Sequence, residues 1–162
     1  MNVFNIKNSL KLLKRPIDKS DHLNIFVLRK EDDPSRKFDK LYWAIDIHGT
    51  IMPPDYEKIH KGDNFNYYPN AKEVLQFLSD RKDVFKLILF SCSHKKELDI
   101  YLKQFELDGI KFDYINENPE CQNTKLGNFD KKFYFSILLD DKAGFDGNED
   151  WETIKRILCI NK

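Results

Sequence analysis

Leu41-Tyr42-Trp43-Ala44-Ile45-Asp46-Ile47-His48-Gly49-Thr50 is the stretch whose reading decides the fold: an apolar run delivers a carboxylate to the point where a buried strand would end. Open α/β sheets bind ligands just outside the carboxyl ends of their strands. An Asp at that point can serve as a metal ligand or a nucleophile. Gly49 lets the backbone turn sharply, and Thr50 offers a hydroxyl and a backbone N–H to an anion. Three further signals follow in order. Ser91 comes after the apolar run 85–90, Lys125 lies in a polar connection, and Asp140-Asp141 comes after the apolar run 133–139.

The spacing between these signals predicts alternating strands and helices. Asn70-Ala71-Lys72-Glu73 has the form of a capping box, and Ala71, Val74, Leu75 and Leu78 recur on one helical face. Ser93 opens a second helix in which Leu98, Tyr101, Leu102 and Phe105 keep the same spacing until Asp108-Gly109 ends it. Each helix is followed by an apolar run, residues 85–90 and then 110–115, which implies βαβ units and a parallel sheet with right-handed crossovers. Residues 116–128 are polar and carry Pro119 and Gly127, so the third crossover is expected to be a loop with little helix. Residues 133–139 form the fourth strand. Residues 150–159 form a capped closing helix with Trp151, Ile154, Ile157 and Leu158 toward the sheet. The expected architecture is therefore a three-layer, Rossmann-like parallel sheet with helices on both faces.

With 162 residues the chain suits one domain, 1–162, and has no room for a second large one. Residues 1–40 read as an N-terminal extension that packs on the core, with a short helix around Ile6, Leu10 and Leu13 and a strand over 22–28. The 27 basic and 27 acidic residues cancel, so no overall field steers the chain to nucleic acid or anionic lipid. Leucines broken by lysines in residues 1–20 make neither a signal-peptide core nor a membrane span, and a cytoplasmic location is expected. Cys92, Cys121 and Cys159 are odd in number and scattered, which argues for reduced thiols rather than disulfides or a zinc site. Cys92 reads as a small packing residue. Phe65, Tyr67 and Tyr68 read as core or as a staple ahead of the first helix, in preference to a stacking platform for a base.

Taken together, the ordered motifs at Asp46, Ser91, Lys125 and Asp140-Asp141 resemble the haloacid dehalogenase superfamily of aspartate-nucleophile phosphohydrolases. The stretches 116–120 and 138–146 also look like small members of that superfamily from bacteria and their phages. The resemblance implies that Asp46 attacks phosphorus and forms an aspartyl-phosphate. It implies a Mg²⁺ held by the Asp46 carboxylate, the backbone carbonyl of His48, and one acid of Asp140 and Asp141: successive side chains at a strand end point apart, so one touches the metal and the other lies behind it, and Asp141 is the preferred ligand. Ser91 would bond a phosphoryl oxygen, helped by the backbone N–H groups of Cys92 and Ser93, and Thr50 would also face the phosphate. Lys125 would neutralise Asp46 and the phosphate, with Lys131 and Lys132 as alternatives in the same connection.

One departure stands out. The superfamily's second Asp, which protonates the leaving group and then activates water, is His48 here, and an imidazole with an ordinary pKa of about 6.5 can carry out both transfers near neutrality. The neighbouring connections are too short for a folded cap, which implies an open site suited to a phosphorylated small molecule or a macromolecular phosphate end. The expected function is a Mg²⁺-dependent phosphohydrolase acting on a phosphomonoester, with nucleotides and nucleic-acid ends among the candidate substrates. The alternative is a catalytically silent phosphate-binding module that keeps the fold.

Overall fold

A computed structural model describes residues 40–54, 65–125 and 127–160; the expected elements within residues 1–39 lie outside the described residues. Strands β1 (Leu41–Ile45), β2 (Phe85–Leu89), β3 (Tyr114–Ile115) and β4 (Ile137–Leu139) form one parallel sheet in the order β3-β2-β1-β4. Helices α1 (Ala71–Ser79), α2 (Lys95–Leu107) and α3 (Asp150–Ile157) connect and close it. The arrangement is α/β and Rossmann-like, with no inserted cap domain among the described residues. No helix among them is long and apolar enough to cross a membrane.

Strand alternation divides the apolar side chains between two faces. Leu41, Trp43 and Ile45 of β1 join Leu87 and Leu89 of β2 in a core that also takes in Val74 and Leu75 of α1, Tyr101 and Phe105 of α2, and Trp151 and Ile154 of α3. All three helices thus cover the same face. Tyr42 and Ile88 point to the other, where Cys121, Phe133 and Tyr134 cover them. Among the described residues that second layer is irregular chain, where helices on both faces were expected. Polar side chains hold it down: the Tyr42 and Tyr114 hydroxyls donate to Glu120 at 2.9 and 2.6 Å, and the Asn118 amide donates to the Tyr134 carbonyl at 2.7 Å.

Several boundaries differ from the sequence expectation for local reasons. Asn70 takes a left-handed φ of 65°, so its side chain does not cap α1; it accepts instead from Lys155 of α3, which also pairs with Glu73 at 2.7 Å. Helix α2 begins two residues after Ser93, because Ser93 turns its N–H back onto Ser91 Oγ at 3.1 Å. The run before β3 buries Ile110 by packing, while Asp113 Oδ2 takes the Leu87 N–H that a longer strand would have bonded, at 3.0 Å. Ahead of β4, Ser136 Oγ substitutes for a backbone acceptor by taking the Tyr42 N–H at 3.1 Å. Glu149 rather than Asp150 occupies the cap position of α3, and Asp150 accepts from the Asp146 N–H at 2.8 Å. Cys92, read as a packing residue, is exposed, whereas Cys121 is the buried thiol.

Candidate active site at the carboxyl edge of the sheet

Four parallel strands bring their carboxyl ends to one edge, and the register fixes what meets there. Ile45 pairs with Leu89 on one side and Leu139 on the other, so the residues just beyond are Asp46, Phe90-Ser91 and Asp140-Asp141. The Asp46 N–H donates to the Leu139 carbonyl at 2.9 Å, and the Phe90 N–H to the Ile45 carbonyl at 2.9 Å, so the ladder runs to the lip of the site. Asp46, Asp140 and Asp141 each offer an oxygen within 4.8 Å of the others. Both acids of the pair thus converge on Asp46, where strand alternation predicted only one. The strand has ended by then: Asp140 is extended, but Asp141 already begins a short 3₁₀ turn (Asp141–Ala143) that swings its carboxylate back.

The turn after β1 is tightly built. The Gly49 N–H donates to the Met52 carbonyl at 2.7 Å and the Ile51 N–H to the Ile47 carbonyl at 2.9 Å. Gly49 adopts a φ of +79°, and a Cβ there would stand 2.8 Å from Asp141 Oδ2. It is therefore required twice, once for its backbone and once for the room it leaves. We expect Gly49→Ala to cost about 1–2 kcal/mol in left-handed strain and to push Asp141 out of the cluster, weakening divalent-cation affinity by about 10–100-fold. Thermal unfolding and calorimetric titration with Mg²⁺ measure the two effects separately. An affinity equal to wild type would mean that Asp141 need not lie against the turn.

Thr50, expected at the phosphate, is fully buried, and its Oγ1 accepts the Asp141 N–H at 3.0 Å. Its hydroxyl ties the first motif to the fourth. The Thr50 carbonyl in turn accepts from the Trp151 indole at 2.8 Å, which anchors the turn to α3.

Charge in the cluster is unbalanced in a way that suits a cation. Burial, with help from Asp140 and Asp141, pushes the Asp46 carboxyl from its ordinary 3.8 up to about 6, against the opposing pull of the Ile47 N–H and Lys142. Three carboxylates gathered in this way offer the oxygen donors that suit a hard divalent cation. The nearby side-chain cation is Lys142, whose Nζ lies 3.0 and 3.3 Å from the Asp141 oxygens. Its own N–H donates to Asp140 Oδ1 at 2.8 Å. Asp141, Asp46 and Asp140 all raise the Lys142 pKa. Lys125, Lys131 and Lys132 are exposed in the long connection and make no ion pair among the described residues.

His48 is half-buried beside this cluster. One ring nitrogen, Nε2, hydrogen-bonds the Tyr101 hydroxyl of α2 at 2.5 Å, and the two rings meet edge to face. Burial lowers the imidazole pKa below its ordinary 6.5, and Lys142 adds to this against the opposite pull of Asp141. Ser91 is buried at the end of β2, and its hydroxyl donates to Ser93 Oγ at 3.0 Å while accepting the Ser93 N–H. The Ser93 N–H, expected at the phosphate, is here bonded to Ser91 Oγ. Phe65, Tyr67 and Tyr68 pack on the core, and the Tyr67 hydroxyl donates to Asp108 at 2.7 Å. Lys95, at the start of α2, pairs with Asp99 at 3.0 Å.

Two partners in the site were not read from the sequence. Tyr101 scans as an apolar helix position, and only the fold shows its hydroxyl reaching His48. Lys142 directly follows the acidic pair and was passed over for lysines in the connection where the resemblance placed the cation.

No protein-family model matches the chain, and no curated protein does either. Among solved structures, the chain is similar to a conserved protein from Bacteroides thetaiotaomicron at 25% identity, with a TM-score of 0.55 over 76% of this chain and 93% of that one. It also matches a chain of the Pnkp1/Rnl/Hen1 complex at 14% identity and a TM-score of 0.43, covering 64% of this chain and 39% of the other.

Proposed function

We propose that the chain is a Mg²⁺-dependent phosphohydrolase that cleaves phosphomonoesters through an aspartyl-phosphate on Asp46. The observation that carries this reading is the meeting of three carboxylates from two strand ends within 4.8 Å, with Ser91 at the end of the strand between β1 and β3. Asp46, Asp140 and Asp141, with the His48 backbone carbonyl, would hold the cation. Its chemistry would be to neutralise the attacking carboxylate and the phosphate so that two anions can approach.

The chain's own residues then divide the work. An Asp46 oxygen attacks phosphorus and the bond to the leaving oxygen breaks, with His48 giving that oxygen a proton. Water then yields a proton to His48, its oxygen attacks phosphorus, and the bond to Asp46 breaks, restoring both groups. Ser91 bonds a phosphoryl oxygen, and Lys142 supplies the positive charge that the resemblance assigned to Lys125. With no cap domain among the described residues, the edge of the sheet is open, which suits a phosphate at the end of a large substrate, a nucleotide or a nucleic-acid end included. The test is hydrolysis of para-nitrophenyl phosphate with and without Mg²⁺, followed by a panel of nucleotides and phosphorylated oligonucleotides.

A second reading, a silent phosphate-binding module, draws on the Tyr101 bond that already occupies a His48 nitrogen. Leaving-group dependence separates the two. If His48 is the acid, His48→Ala should slow phenyl phosphate by about 100-fold or more and para-nitrophenyl phosphate much less, because nitrophenolate scarcely needs a proton. Equal, small effects on both esters would remove His48 from the mechanism. Absence of Mg²⁺-dependent turnover on every ester would favour the silent module.

A further inference from the structure

We infer that Asn116 is a positioning residue for Ser91: its carboxamide holds the turn after β2 in the orientation that presents the Ser91 hydroxyl to a phosphoryl oxygen. The inference rests on the role given to Ser91 above. Asn116 directly follows the last residue of β3 and donates its own N–H to the Leu89 carbonyl at 2.9 Å. At that point β3 ends and the chain turns away, with Asn116 at a left-handed φ of 53°. The side chain then does what the next strand residue would have done. Its Oδ1 accepts the Ser91 N–H at 2.9 Å, and its Nδ2 donates to the Ser91 carbonyl at 2.7 Å.

One planar group thus takes both backbone groups of one residue, which fixes the peptide planes on either side of Ser91. Only an amide supplies a donor and an acceptor in this way, and the pairing itself assigns the oxygen and the nitrogen. Asn116 is exposed while Ser91 is 7% exposed, so burial of Asn116 does not explain the contact. Downstream, Ser91 Oγ is bonded to both the N–H and the hydroxyl of Ser93, so the orientation set at Ser91 extends through the turn.

Asn116→Gly isolates the side chain, because Gly accepts the positive φ without strain. The expected result is a fall in kcat/KM of about 10–100-fold, with a thermal midpoint close to wild type. The loss should not compound with Ser91→Ala, since both act through one hydroxyl. Asn116→Asp keeps the acceptor and loses the donor, so it should fall between the two. A phosphorus-NMR titration with inorganic phosphate and Mg²⁺ should show affinity about tenfold weaker in Asn116→Gly. If the wild type binds phosphate but hydrolyses nothing, the proposed function fails, and this titration alone decides the role of Asn116. Should Asn116→Gly fail to fold, the same readouts on Asn116→Asp decide. Wild-type kinetics and phosphate affinity in the variant, losses that multiply fully with Ser91→Ala, or a wild type that does not bind phosphate would each overturn the inference.

Discussion

Asp46→Asn is expected to remove hydrolysis by about three orders of magnitude or more while leaving the protein folded. The amide keeps the shape of the side chain, and the backbone bond from Asp46 to the Leu139 carbonyl is untouched. What it loses is the nucleophilic oxygen and a charge in the metal cluster, and neither Asp140 nor Asp141 stands at the end of β1 to replace them. Stability should move in the opposite direction. In the cation-free protein the folded Asp46 pKa, about 6, lies above its ordinary 3.8, so the folded state holds the proton more tightly. Stability therefore falls as pH rises through that window, and at neutral pH the ionised carboxylate is a net cost. In a chelator at pH 7 the Asn variant should melt above wild type. Added Mg²⁺ should reverse the order by stabilising wild type alone. A variant that melts below wild type in both conditions would mean that Asp46 supports the fold rather than the site.

The largest expected effect on stability belongs to Trp151→Ala. Trp151 is wholly buried, packs edge to face on Phe145 with ring centroids 5.2 Å apart, and donates its indole N–H to the Thr50 carbonyl. Truncating a buried Trp costs about 3–5 kcal/mol, a large part of the roughly 5–15 kcal/mol that holds a domain together. Trp151→Phe keeps a ring but strands the carbonyl of a fully buried residue, at a cost of about 1–3 kcal/mol. Urea denaturation ranks the three proteins. The damage should reach the site, because the Phe145 N–H donates to the Asp140 carbonyl at 3.1 Å. Weakened Mg²⁺ binding in the folded Trp151→Phe variant would show this coupling, and unchanged binding would contradict it.

Much of this was legible in the sequence because strands buried on both faces read as continuous apolar runs. The run before Asp46 and the run before Asp140 were legible as two strand ends, and the fold, by setting β4 beside β1, brings their acids together. The helical spacing of Val74, Leu75 and Leu78, and of Tyr101 and Phe105, gave the faces that the core uses. Side-chain bonds that replace backbone ones were not legible. Asp113, Ser136 and Asn116 each stand in for a ladder partner, shortening a strand or extending its register, and nothing in their spacing announces it. Strand alternation left room for one acid at the cluster, and both reach it because a 3₁₀ turn begins at Asp141. Thr50 was read as an anion ligand, and nothing in the spacing announced that its Oγ1 accepts the N–H of Asp141, just beyond the adjacent strand β4.

The central claim is that a phosphoryl group passes through Asp46, and trapping it is the most direct test. Wild-type protein turning over para-nitrophenyl phosphate with Mg²⁺ is quenched in acid, digested and analysed by mass spectrometry, with a borohydride-treated sample to reduce an acyl phosphate. The expected result is one phosphoryl group on the peptide containing Asp46, absent without Mg²⁺, and reduction of residue 46 to homoserine in the treated sample. Steady turnover with residue 46 recovered unmodified in both samples would contradict a covalent mechanism on this residue.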